Sequence, residues 1–116
     1  MITTSSEPKQ EISYEQFVAL DMRIATVIAV DEVAEADKLY KITLDVGELG
    51  ERIIASGIKP WYTPAQLVGK QVIYLANLKP RTLRGIESQG MLIAANDEKA
   101  ILLHPDSEVT PGSPLL

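Results

Sequence analysis

The chain has 116 residues, 46% of them hydrophobic, with 16 Asp and Glu against 11 Lys and Arg, a single His and no Cys. That length holds one domain with a core of its own, and the missing Cys removes disulfides, thiolate metal sites and cysteine nucleophiles together. A net charge of −5 argues against generic duplex binding, which needs a basic domain overall, and no apolar run is long enough for a membrane span or a signal-peptide core, so a cytoplasmic protein with no membrane partner is expected.

In chain order, residues 1–12 read as a flexible polar tail interrupted by Pro8, and the folded domain is expected over 13–116. Ser13-Tyr-Glu-Gln16 has the form of a capping box, which predicts a short helix over about 14–20 with Phe17 and Leu20 turned inward. From Met22 the spacing changes to two. Ile24, Thr26, Ile28 and Val30 fall on one side of a long first strand, and Arg23, Ala25, Val27 and Ala29 on the other. After the charged stretch 31–38, a second strand alternates Tyr40, Ile42, Leu44 and Val46 against Lys41, Thr43 and Asp45, and Gly47 and Gly50 bracket a turn. A third strand covers about 52–55. Pro60 and Pro64 prevent its continuation, and Thr63-Pro64 starts a one-turn helix that Gly69 ends. A fourth strand at 71–76, a loop at 77–89, a fifth strand at about 90–95 and a further short strand at 100–103 precede a proline-punctuated C-terminus.

Three strands, a short helix and two more strands make an all-β chain with the layout of an OB-fold, a five-stranded Greek-key barrel, here with short helices and extra C-terminal strands. Alternation alone also admits an SH3-like or other small barrel, because strand order in space is not encoded in it. The strand at 100–103 is hard to absorb into five strands. An unpaired apolar edge is an association surface, so a homodimer is expected.

The charges are segregated. Between Glu51 and Glu87 there is no acidic residue, while Arg52, Lys59, Lys70, Lys79, Arg81 and Arg84 all lie there. Clustered bases free of carboxylates suit a polyanion, above all nucleic acid. In the OB layout, residues 77–89 form the loop between strands 4 and 5 and Lys38 ends the loop between strands 1 and 2, so both flank the expected ligand face.

The residues of that basic run, Asn77-Leu-Lys-Pro-Arg81, Leu83-Arg84-Gly85 and Ser88-Gln-Gly-Met91, resemble the signature of the tRNA-binding domain family. This domain occurs as a free-standing dimeric protein and at the C-terminus of methionyl-tRNA synthetases. Leu20-Asp-Met-Arg23, Ala36-Asp-Lys-Leu39, Leu44-Asp-Val-Gly47, Ala55-Ser-Gly-Ile58 and the Leu-Leu-x-Pro-Asp pattern at 102–106 extend the resemblance over about residues 12–112. The resemblance implies an OB-fold that dimerises and recognises the outer corner of tRNA by shape, independently of the anticodon. It implies RNA contacts at Lys38, Ser88 and Met91, with Asn77, Arg81 and Arg84 lining the same groove. Lys38, Arg81 and Arg84 can neutralise phosphates, Ser88 can bond a phosphate or a 2′-hydroxyl, and the thioether of Met91 can lie against an exposed base or ribose. On the residues alone, Ser88 serves equally to satisfy loop backbone, Asn77 to cap the turn after strand 4, and Met91 to fill core.

Catalysis finds no constellation to carry it. His104 is the single His, neither Ser56 nor Ser88 has an identifiable base, and the acids at 31–37 lack calcium-loop spacing, so no cofactor or metal is expected. The expected role is a noncatalytic tRNA-binding auxiliary or β subunit acting with a methionyl-tRNA synthetase catalytic chain. The alternative is an export-related polypeptide chaperone, because a branch of the same fold resembles such chaperones.

Overall fold

The longest strand, β1 (Met22–Glu32), pairs antiparallel with β2 (Tyr40–Asp45) along its C-terminal part and with β4 (Gln71–Leu75) along its N-terminal part in a computed structural model that describes residues 7–116. A strand shared in this way must bend, and it bends at a bulge. Val27 opposes Leu44 and Ala29 opposes Thr43, which leaves Ile28 unpaired and exposed. The extra residue resets the alternation, so Ala25 and Val27 enter the core before it and Val30 packs on the core after it. The uninterrupted period of two predicted for this strand is therefore corrected at Ile28.

β2 keeps its predicted pattern, with Tyr40, Ile42 and Leu44 buried and the residues between them half-exposed. It turns through a single 3-10 turn at Gly47–Leu49 into β3 (Glu51–Ser56), which pairs with it in unbroken register. The main sheet has the order β3-β2-β1-β4-β7, where β7 is Met91–Leu92. It comes close to closing on itself. The Gln89 amide donates to the Ile53 carbonyl, and the Ile53 amide donates to the Gln89 side-chain oxygen, both at 2.8 Å. The result is a nearly closed, five-stranded antiparallel barrel of OB type, filled by Ala25, Val27, Ile42, Leu44, Val46, Ile54, Leu67, Val72 and Tyr74.

The predicted capping box forms at Ser13, and a second, not expected from the sequence, forms at Thr63. Ser13 and Gln16 exchange hydrogen bonds ahead of α1 (Tyr14–Val18), as do Thr63 and Gln66 ahead of α2 (Pro64–Leu67). α2 buries Leu67 under the barrel, whereas α1 is shorter than predicted and buries none of its residues. The inward placement expected of Leu20 is corrected too, since that side chain is exposed and Phe17 is half-buried. Of the tail expected at 1–12, residues 1–6 lie outside the described residues, and 7–12 carry no helix or strand.

The fifth strand predicted at about 90–95 is two strands. β7 completes the barrel sheet, while β8 (Ala94–Asn96) leaves it to pair with β9 (Ala100–Leu102) as a separate hairpin. Tyr62 ties that hairpin down. Its hydroxyl accepts from the Leu102 amide at 3.0 Å, and its carbonyl accepts from the Tyr40 hydroxyl at 2.7 Å. The C-terminal residues then run back along β1, where the Ile24 amide donates to Ser113 and its carbonyl accepts from Gly112.

Candidate nucleic-acid interface

Residues 77–89, expected as loop, contain another hairpin. β5 (Arg81–Leu83) pairs with β6 (Ile86–Ser88) across the two-residue turn Arg84-Gly85. Both turn residues have positive φ, +50° and +81°, the requirement of a type I′ turn, whose twist matches that of the flanking strands. Gly85 adopts this conformation without steric cost. Arg84 is held in it by the hairpin and so carries its guanidinium at the hairpin tip.

The hairpin faces the end of β3 across a groove of about 470 Å³ lined by Ala55, Ser56, Gly57, Leu78, Lys79, Arg81, Ser88 and Met91. The groove shares Ser56, Gly57 and Leu92 with a second cavity of about 450 Å³, into which Lys38, Ile58 and Trp61 also project their surface. At the hairpin tip, Arg84 lines a shallow pocket with Glu35, Asp37 and Lys38 of the β1–β2 loop. Lys38, Arg81, Arg84, Ser88 and Met91 are thus brought to one connected concave face. Lys79 joins them there. It belongs to the basic run but was not among the expected contacts, and its place directly before Pro80 and Arg81 was the available signal.

Ser88 is held from within. Its side chain is buried, and its hydroxyl accepts from the Ala55 amide at 3.0 Å and donates to the Gly90 carbonyl at 3.1 Å. It therefore joins the hairpin to the free edge of β3 and fixes the width of the groove. Asn77 lines none of these cavities. Its Oδ1 accepts from the Asp21 amide at 2.9 Å and its Nδ2 donates to the Ala19 carbonyl at 2.7 Å, which latches the start of the hairpin segment to the α1–β1 connection. Met91 is 45% exposed on the groove wall. It is set there by Gly90, whose φ of +110° brings its Cα so near the Leu75 carbonyl and the Tyr74 ring that a Cβ would collide with both.

The remaining bases of the acid-free segment divide by partner. Lys59 pairs with Glu32 at 2.6 Å. That hydrogen bond holds the Lys59 pKa above its usual value and the Glu32 pKa below its own, so both stay charged and satisfied. Lys70 lies 5.2 Å from the centre of the Tyr62 ring, a cation–π distance. Arg52 lies beside the Tyr74 hydroxyl, which donates to the Gln89 carbonyl; burial raises the Tyr74 pKa against the opposing pull of Arg52, so the hydroxyl remains a neutral donor at the barrel seam. What is left along the concave face is Lys79 and Arg81 in the main groove, which no acid lines, Lys38 in the adjoining cavity, and Arg84 at the hairpin tip beside Glu35 and Asp37.

The family described as a putative tRNA binding domain matches residues 22–114. Among curated proteins, the chain is 48% identical over 106 residues to the methionine-tRNA ligase of Porphyromonas gingivalis, covering 90% of this chain and 15% of that enzyme. It is 49% identical over 108 residues to the methionine-tRNA ligase of Archaeoglobus fulgidus, covering 92% of this chain and 16% of that enzyme. The chain thus spans about a sixth of the length of these relatives. Among solved structures, it superposes with a TM-score of 0.86 and 34% identity on a MetRS-related protein from Pyrococcus horikoshii, covering 93% of this chain and 100% of that one. The chaperone CsaA of Bacillus anthracis superposes with a TM-score of 0.84 at 27% identity, over 92% of this chain and 100% of that one. With a family match that spans every strand of the barrel and relatives this similar, the chain belongs to the family of putative tRNA-binding domains.

Proposed function

We propose that this domain binds folded tRNA at its outer corner, without chemistry of its own and without reading the anticodon, and serves a methionyl-tRNA synthetase as an auxiliary or β subunit in the cytoplasm. The observation that carries the reading is the placement of Lys38, Lys79, Arg81 and Arg84 along three adjoining cavities of one face in a chain whose net charge is −5. Phosphate oxygens reward that local field whatever the global charge, while the acids, Glu35 and Asp37 at its end included, oppose indiscriminate attachment. Met91 offers an apolar, pliant surface between the cations, suited to a ribose or a base exposed where a folded RNA bends. Tethered to a catalytic chain, such a groove raises the local tRNA concentration without choosing the amino acid. A homodimer would place two grooves on one particle.

A polypeptide-binding role is the second reading, supported by the likeness to a chaperone and by the apolar cavity that adjoins the groove. Dissociation constants separate the two. Intact tRNA and an anticodon-changed tRNA should bind alike, an unstructured RNA of equal length more weakly, and an unfolded polypeptide weaker still. Met91→Ala, checked for folding, should lose affinity for intact tRNA more than for the unstructured strand. If anticodon identity governs affinity, or if folded Met91→Ala binds intact tRNA like the wild type, corner recognition is wrong and the polypeptide reading takes its place.

A further inference from the structure

We propose that the cavity beside Trp61 is a nucleobase subsite, which takes one base splayed out of the bound RNA while the phosphate of that nucleotide rests on Lys38. The inference rests on the RNA-binding reading above and assigns to it a site outside the basic hairpin.

The cavity measures about 450 Å³, within the range of pockets that enclose small organic ligands. Its floor is rigid, because Ile58, Leu92 and Leu102 are each more than nine-tenths buried in the barrel core. Pro60 and Trp61 form a wall, and Lys38 and Ser56 supply the polar groups. A mostly apolar cavity walled by an indole, with one cation and one hydroxyl in its lining, fits a planar heterocycle attached to a phosphodiester. An apolar peptide side chain would fill the cavity but make no use of the Lys38 ammonium in its lining.

The other aromatic rings are unavailable for stacking at this place. Tyr40, Tyr62 and Tyr74 have their hydroxyls bonded within the fold, Tyr40 and Tyr74 are buried, and Tyr14 and Phe17 pair with each other on α1. Among the described residues, Trp61 is the ring that lines the continuous concave face. Every base has a π-face, so a stacking contact of this kind is indifferent to sequence. Bases become available for it at the loops and bends of folded RNA, where stacking is interrupted. Because the cavity shares Ser56, Gly57 and Leu92 with the groove of Arg81 and Lys79, a strand whose phosphates follow those cations reaches Trp61 without leaving the surface.

Trp61 is the single Trp of the chain, so its emission reports on the site directly. Titration of the full chain with intact tRNA should quench that emission saturably, in step with binding measured by anisotropy of end-labelled tRNA. Inorganic polyphosphate, which offers the charge without a base, should bind without quenching. Trp61→Leu should weaken tRNA binding by about tenfold, the order expected for one stacked base, with polyphosphate affinity unchanged, and Trp61→Phe should restore most of the loss. The subsite is overturned if tRNA binds with no quenching, if polyphosphate quenches equally, or if folded Trp61→Leu binds tRNA like the wild type. In those three outcomes the RNA-binding reading survives. An unfolded apolar polypeptide that quenches Trp61 where tRNA does not would reassign the cavity to peptide, and absence of any tRNA binding overturns both readings together.

Discussion

Ser88 and Arg81 oppose each other across the β5–β6 hairpin, yet their removal should have different consequences. Ser88→Ala takes a buried hydroxyl from between the Ala55 amide and the Gly90 carbonyl, so it should lower the unfolding free energy by about 1–2 kcal/mol, as expected when partners are left unsatisfied. tRNA affinity should fall with it, because the groove loses the bond that sets its width. Arg81→Ala removes an exposed charge and should change stability by no more than about 0.5 kcal/mol, while weakening all tRNAs to a similar extent. Chemical denaturation and binding measured on both variants check the pair; equal stability in the two would deny Ser88 its structural role. At this scale the motif disclosed which positions matter and not how they act. The partners of Ser88 and Asn77 on β3 and near α1 lie 33 and 56–58 residues away, and no local pattern records a hydrogen bond across that separation.

The elements that the sequence made legible carry their instructions locally. The capping box at Ser13, the Thr63-Pro64 start of α2 and the alternation of β2 are complete within a few residues, so they fold as read. The bulge at Ile28, the departure of β8 from β7 and the hairpin within 77–89 arise from barrel closure, which alternation does not encode. The hairpin was hidden for a further reason: its first turn residue is Arg84 at positive φ, where Asn, Asp or Gly usually stands. That mismatch separates charge from conformation in an experiment. Arg84→Asn should hold or slightly raise the melting temperature, since Asn tolerates the left-handed region better, and yet should reduce the salt slope of tRNA binding by roughly 0.7–0.9, the value for one lost phosphate contact. A slope unchanged in Arg84→Asn would remove Arg84 from the contact set.

Across the whole molecule, charge is sorted by position more than by amount. Of the six bases in the acid-free segment, Lys59, Lys70 and Arg52 are occupied by Glu32, the Tyr62 ring and the Tyr74 hydroxyl, and Lys79, Arg81 and Arg84 remain along the concave face, where Lys38 makes a fourth. If each neutralises one phosphate, the logarithm of the tRNA association constant should fall with the logarithm of salt concentration with a slope of roughly −3 to −4 for each groove. Titrations over a series of salt concentrations give this number directly, and a slope near zero would rule out an electrostatic grip. The basic segment was visible in composition. The division between occupied and free cations was not, because it depends on which carboxylate or ring each base meets after folding.

The C-terminal segment that runs along β1 has a consequence for synthesis. The Arg23 guanidinium reaches the Gly112 carbonyl 89 residues later in the chain, and the adjoining main-chain groups of Met22 and Ile24 bond to Leu115, Gly112 and Ser113. A ribosome therefore releases β1 long before the segment that covers this edge has left the exit tunnel. During that interval the nascent barrel presents unpaired amides and carbonyls beside the apolar Ile24, a template on which a neighbouring chain on the same message could add a strand. The charged Arg23–Asp21 pair at 2.8 Å stands on that stretch, and charge on an exposed edge discourages such pairing until the proper segment arrives.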